Sequence, residues 1–249
     1  MLHGLLVVNA FLRMTKFDDL YQILLCSAHE CGMELSVHTN AELAPIVESD
    51  SFEPACYDFV LFWDKDVALA TQIAQRGLPV FNSAESILRC DDKSFTYLTL
   101  KQAGLPMPRT ILAPKTFPAA GYPSTDFVDA TVEELGFPVV LKECFGSFGQ
   151  QVYLFDDLEA LRAKVLSLAG TPMLFQALVR ESCGRDVRIN VVGDRVVASI
   201  LRQSQNGDFR SNLTLGGTMK TYNPTREEAE LALRAVKELG LTFAGVDVL

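Results

Sequence analysis

Lys142 closes an apolar run, Val139-Val140-Leu141, and is followed by the glycine-bearing stretch Gly146-Ser147-Phe148-Gly149 and a second apolar run from Val152 to Phe155. This pattern predicts a β-hairpin with a cationic stem and a flexible tip. A lysine at the end of a buried strand is costly unless it meets negative charge, and glycines let backbone N–H groups close on an anion. A phosphate would satisfy both, while a snorkelling lysine on an ordinary hairpin remains the alternative.

Further along, Arg202, Arg210 and Lys220 lie in or beside a glycine-containing loop, residues 203–221, that carries the polar run Gly207-Asp208-Phe209-Arg210-Ser211-Asn212. Arginine presents a planar fork suited to phosphoryl oxygens, and a mobile loop would close it over a reacting group. Asp247 stands alone among Val246, Val248 and Leu249. A carboxylate in an apolar strand must face a cleft and meet a cation, and beside a polyphosphate Mg²⁺ is the natural one, given further ligands. Lys93 follows Asp91 and Asp92 in the first turn of a predicted helix, where the helix dipole disfavours a cation.

The elements that must position these residues fall into two groups. Strand and helix signals alternate through residues 1–82, which predicts a small α/β domain on a parallel sheet. Asn9, Asn40, Trp63 and Asp64 then sit at strand ends, where such sheets collect ligands. Residues 83–129 read as a helical linker followed by a proline- and glycine-rich surface loop, and residues 130–249 as hairpins and helices. Two cation-bearing hairpins, the second turning at Gly193-Asp194, suggest two sheets facing one another around a ligand.

Composition narrows the class. The chain has 249 residues, 49% hydrophobic and 21% charged, and a formal net charge of −9. That is ordinary for a globular protein and argues against a general nucleic-acid binder, which needs clustered Lys and Arg. No apolar run is long enough to span a bilayer, so no membrane partner is expected. The six cysteines lack a CxxC or zinc-type spacing, and most read as small core residues in a reducing, cytoplasmic compartment. The sequence carries no signal of oligomeric state and leaves a homodimer open. There is neither a GxxxxGK[ST] nor a GxGxxG pattern.

The strings PVVLKECFGSFGQQV, GRDVRINVVGDRVVASILR, GDFRSNLTLGG and AGVDVL, in that order, resemble the ATP-grasp superfamily and within it the RimK-like amino-acid ligases. The resemblance covers most of residues 83–249 and is weaker before them. It implies an α/β and α+β fold in which the N-terminal parallel-sheet domain precedes an ATP-grasp module of two antiparallel sheets with helices. ATP would lie between those sheets, with Lys93, Lys142 and the turn residues Gly146, Ser147 and Gly149 at its phosphates. Gln176, Ala177 and Leu178 would run along the adenine, with Asp186 near the ribose and Arg188 also among the nucleotide-binding residues. Arg210, Ser211 and Asn212 would face the triphosphate, Arg210 and Asn212 acting on the acyl-phosphate region, and Asp247 would ligate Mg²⁺, with Mn²⁺ as a substitute.

The implied reaction joins a carboxylate to an amine on a small amino-acid-like or peptide substrate through an acyl phosphate. It needs in-line positioning and charge neutralisation rather than a protein nucleophile, and the sequence shows no Ser-His or Cys-His arrangement. A non-catalytic nucleotide-binding module and a small-molecule kinase are the alternatives. Two departures stand out. Ala177 and Leu178 replace an acidic and an aromatic residue of the family, and the chain stops at Leu249, before the glutamate and asparagine that complete the family's metal site. The expectation is a fragment or an incomplete site.

Overall fold

The computed structural model describes residues 1–12, 14–147, 149–211 and 216–249. They form two compact units, one of residues 1–88 with 240–243, the other of residues 89–239 with 244–249.

The first unit is built on four parallel strands, β1 (Leu2–Val8), β2 (Met33–Thr39), β3 (Phe59–Trp63) and β4 (Val80–Phe81), in the order β2-β1-β3-β4. Leu5, Val7, Val60 and Phe62 meet Leu69, Ala70 and Ile73 of α3 (Val67–Gln75) in its core. The continuous apolar runs of the two central strands, Leu5–Val8 in β1 and Phe59–Trp63 in β3, are what strands packed on both faces require, whereas the edge strand β2 alternates and buries no residue. Helix α1 (Thr15–Glu30) buries only Ala28, and Ile23 of its apolar stripe is 61% exposed. A four-residue helix, α2 (Asn40–Leu43), opens on a capping box between Thr39 and Glu42. The strand-end residues are engaged locally. Asn9 donates to both carboxylate oxygens of Asp64 at 3.1 and 3.2 Å, Asn40 accepts from the Ala10 N–H, and Trp63 stacks on Phe243.

Helices α4 (Ala84–Asp91) and α5 (Lys93–Gln102) lead to two sheets in the second unit. One contains β5 (Thr110–Leu112), β6 (Val139–Glu143), β7 (Val152–Phe155) and β8 (Met173–Ala177) in the order β5-β8-β6-β7, with antiparallel pairings. Val139, Leu141, Met173 and Phe175 point to one face and pack with Val128 of α6 (Asp126–Leu135) and with Leu161 and Val165 of α7 (Leu158–Ser167). Because side chains alternate, Val140, Lys142, Leu174 and Gln176 are sent to the opposite face.

The other sheet has the order β11-β10-β9-β12, from β9 (Arg185–Val192), β10 (Arg195–Gln203), β11 (Thr218–Thr221) and β12 (Phe243–Val248). Helix α8 (Arg226–Glu238), opened by a capping box between Thr225 and Glu228, packs Ala232, Ala235 and Val236 inward. The α/β and α+β architecture expected from the sequence is therefore present.

Three expectations are corrected. The proline-rich stretch after Gly104 is not all surface loop. Its Thr-Ile-Leu triplet forms β5, an edge strand, where flanking prolines cost no ladder bond, and α6 begins at Asp126. The arginine loop is shorter than 203–221, because Gln203 ends β10 and Thr218–Thr221, with Lys220, forms β11. Only Cys144 of the six cysteines is buried, Cys90 is intermediate, and the others are exposed free thiols, so most are not core residues.

Candidate active site

Lys142 and Lys93 come together at the root of the β6–β7 hairpin. Lys93 starts α5 behind an Asp92 N-cap that accepts from the Ser94 N–H at 2.8 Å. Its ammonium reaches the carbonyls of Cys144 and Gly146 at 3.2 and 3.0 Å, and its own N–H also meets the Cys144 carbonyl. Those contacts explain a cation in the first helical turn: it is directed at the hairpin rather than along the helix axis.

The Lys142 ammonium donates to Oε1 of Gln176 at 2.6 Å. Among the described residues no carboxylate lies within ion-pair distance of it. Burial and then the Lys93 charge push its pKa down to about 8, with Asp247 opposing in part. A lysine held among protein atoms beside a like charge, with only a neutral acceptor, lacks an anion. That is the observation to which a phosphate group fits. The turn beyond suits close approach, with positive φ at Gly146 (120°) and Gly149 (75°). A Cβ on Gly146 would come within 2.4 Å of Gln151 Oε1, a flexible side-chain end that could shift, so it is the φ of 120° that requires glycine there.

The other sheet holds its charges differently. Asp186, buried at 8% exposure, receives both Nε and Nη2 of Arg202, which is 4% exposed. Arg202 also reaches Asp247 at 2.9 Å, and Asp247 takes Nε and Nη2 of Arg188 at 2.7 and 2.8 Å. Asp186, Arg202, Asp247 and Arg188 thus form a ladder of alternating sign across β10, β9 and β12. Gly245, two residues before Asp247, lets Arg188 lie flat: a Cβ there would meet Arg188 Nε and Asn190 Oδ1 at 3.3 and 3.2 Å. Burial alone would raise the Asp247 pKa, but Arg188 and then Arg202 outweigh it and hold the carboxylate below its ordinary range.

Asp247 is therefore ionised and offers hard oxygens, as Mg²⁺ requires. Three N–H donors already occupy it, so it fits as a single ligand to an ion whose remaining ligands are phosphate oxygens and water. No group of three His, Cys, Asp or Glu able to hold a metal occurs among the described residues.

Arg210, expected at the triphosphate, is clasped by Asp208. Its Nε and Nη2 meet the carboxylate at 3.0 and 2.7 Å, and Nη1 donates to the carbonyls of Gly149 and Val152 at 2.8 and 3.3 Å. The loop is thereby tied to the hairpin that bears Lys142. The bidentate bonds from Arg210 hold the Asp208 carboxylate below its usual range. Ser211 is buried beside it, and Asn212 lies outside the described residues. Ala177 ends β8 with its N–H on the Arg109 carbonyl, and Leu178 and Val179 follow outside the ladder.

Sequence reasoning placed Lys93, Lys142, Gly146, Ser147, Gly149 and Arg210 at the phosphates of ATP; the structure brings Lys93 and Arg210 onto the hairpin that carries the other four. It placed Asp186 near a ribose and Arg188 among the nucleotide-binding residues; in the structure the side chains of both bond within the ladder. It missed Arg202 as the central cation of that ladder, and Asp208 as the clasp of Arg210. The signal for Asp208 was available, since a carboxylate two residues before an arginine in a turn can fold back onto it.

Residues 90–249 match the family model of a RimK-like ATP-grasp domain. The chain is 35% identical over 188 residues to human N-acetylaspartylglutamate synthase A, covering 75% of the chain and 46% of that protein. It is also 35% identical over 226 residues to a probable alpha-L-glutamate ligase from a Shewanella species, covering 90% and 71%. The chain thus spans about half the length of the human relative and about seven-tenths of the bacterial one. Among solved structures it is similar to a RimK domain ATP-grasp protein of Sphaerobacter thermophilus, with a TM-score of 0.70 and 23% identity over 99% of this chain and 86% of that one. The D-alanine–D-alanine ligase of Bacillus anthracis complexed with ATP gives a TM-score of 0.72 at 16% identity, covering 100% and 82%. Both structural likenesses concern the fold.

Proposed function

The chain belongs to the RimK-like ATP-grasp family, and from that premise we propose that it acts as an ATP-dependent carboxylate–amine ligase on an amino-acid or peptide substrate. The observation that carries this reading is Lys142, a partly buried cation beside Lys93 with a neutral acceptor and no carboxylate among the described residues, at the root of a glycine hairpin. In the reaction a substrate carboxylate oxygen attacks the γ-phosphorus of ATP and ADP leaves. An amine then attacks the acyl carbon, the C–O bond to the phosphoryl group breaks, and an amide is left as inorganic phosphate departs with the former carboxylate oxygen and the nitrogen sheds a proton.

Lys142 and Lys93 hold phosphate oxygens as charge shifts toward ADP, and the hairpin backbone at Gly146, Ser147 and Gly149 closes on the phosphates. Residues 176–178 lie along the adenine. Arg210, tied to the hairpin through Gly149 and Val152, delivers the loop bearing Ser211 and Asn212 to the reacting group. Mg²⁺ or Mn²⁺ bound with the nucleotide neutralises phosphate charge, and Asp247 is the residue of this chain that would ligate it. Preorganised charge of this kind is worth most where water is excluded.

The named ligase and synthase relatives support the substrate class, amino-acid carboxylates and amines. A cytoplasmic location belongs to the same reading, in keeping with six cysteines that form no disulfide. The engagement of Asp247 by two arginines favours a second reading, a module that binds nucleotide without turnover. Incubation with Mg-ATP and mixtures of amino acids and dipeptides decides between them. The ligase reading expects ADP release that needs both a carboxylate and an amine, with a product mass equal to their sum less water. ATP binding with no such product under any mixture would refute it.

A further inference from the structure

Gln176 is 8% exposed, so its amide must be satisfied inside the protein. Its Oε1 accepts from the Lys142 ammonium at 2.6 Å and its Nε2 donates to Thr110 Oγ1 at 2.9 Å, while the Thr110 hydroxyl donates to the Pro108 carbonyl at 2.8 Å. The direction of this chain is fixed by chemistry. An ammonium only donates, so the glutamine must offer its oxygen and turn its NH₂ toward Thr110. The threonine oxygen accepts that bond and spends its single hydrogen on a carbonyl that can only accept.

The sheet supplies the geometry. Gln176 lies directly opposite Thr110 on β5 and opposite Val140 on β6, which puts Lys142 on the diagonal, within reach of a long side chain. The relay therefore ends on backbone immediately before an edge strand, and all its side chains share the face turned away from α6 and α7.

The choice of a neutral acceptor has an electrostatic consequence. A carboxylate at position 176 would accept the same hydrogen bond and cancel the ammonium charge. Glutamine fixes the ammonium in place and leaves the charge for something else. We propose that Gln176 and Thr110 are positioning residues for Lys142, forming a one-way hydrogen-bond relay that aims its ammonium at a nucleotide phosphate while leaving its charge unneutralised. The proposal rests on the assignment of Lys142 to phosphate made above.

Calorimetric titration of the protein and its variants with ADP in excess MgCl₂ tests it. Gln176→Glu, nearly isosteric, is expected to stay folded, with a lower melting temperature from the lost donation to Thr110, and to weaken ADP binding by about tenfold or more, because the ion pair it forms competes with phosphate. Thr110→Val is expected to weaken binding by about three- to tenfold and Thr110→Ser to restore it to within about twofold, as loss and recovery of one hydrogen bond would. In a Lys142→Met background Thr110→Val should change nothing further, since the relay acts only through that lysine.

Wild-type-like affinity in Gln176→Glu would overturn the proposal, as would an equal effect of Thr110→Val in both backgrounds. A wild-type protein that ignores ADP, or Lys142→Met that binds it normally, would instead remove the phosphate assignment, and the relay with it. The Lys142→Met titration thus separates the two failures.

Discussion

On the β5-β8-β6-β7 sheet the Lys142 ammonium rests on an uncharged glutamine, whereas on the β11-β10-β9-β12 sheet Asp186 and Asp247 alternate with Arg202 and Arg188, each charge meeting its opposite. Buried charges attract strongly and are costly alone, so the second arrangement serves cohesion. The first leaves one positive charge with no ion-pair partner among the described residues and only a partial influence from Asp247, and such a charge is what can bind an anion. The difference teaches where ligand affinity and where local stability should respond to mutation.

The largest expected effect is on the ladder. Arg202→Ala strands Asp186 in a buried position and should cost about 3–5 kcal/mol in urea unfolding. Adding Asp186→Leu should return much of that loss; a double variant no better than the single one would mean that the ladder does not act through paired charge.

Lys142→Ala should separate the two regions most directly. Mg-ADP affinity is expected to drop by about 30- to 100-fold, the worth of a charge-assisted contact, and the urea midpoint to fall by less than in Arg202→Ala, because only the neutral Gln176 Oε1 is left without its donor. An unchanged affinity would mean that the hairpin lysine is misassigned.

The pKa of Lys142, lowered from 10.5 to about 8, gives a pH test. The anion prefers the protonated lysine, so ADP affinity should be level below pH 7 and fall toward about tenfold per unit above pH 8. Lys142→Arg should flatten that slope. For stability the sign is opposite to that of a paired lysine. Between about pH 8 and 10.5 the unfolded chain keeps a proton that the folded one has released, so the cost of this residue is full below pH 8 and is relieved as pH rises through that window.

Two smaller changes sharpen the contrast. Gly146→Ala, at φ 120° and against Gln151, should lower stability by about 1–2 kcal/mol and weaken ADP binding as well. Arg188→Gln removes only the half-exposed end of the ladder and should cost under about 1 kcal/mol; a loss near that of Arg202→Ala would show the ladder to be one cooperative network.

Much of the fold was legible because its patterns are local. The apolar run before Lys142 and the glycines after it specify a strand and a turn, and the alternation that hides Val139 and Leu141 sends Lys142 to the other face. Helix α3 and the Gly193-Asp194 turn were read in the same way. Strand β5 escaped because a triplet between prolines has no period of its own; pairing with β8 makes it a strand. The role of Thr110 escaped with it.

Residue types alone determined that a cation would stand at the root of a glycine hairpin and that Asp247 would need positive charge. Which cation answers which carboxylate was decided only in three dimensions. The hairpin begins with Val192 opposite Arg195, a register that would set Leu201 across from Asp186, but a bulge between Val196 and Ala198 shifts it by one residue and delivers Arg202 instead. Such a shift moves a guanidinium from one face of the strand to the other, and it follows from packing across the whole sheet, which no local stretch of sequence encodes.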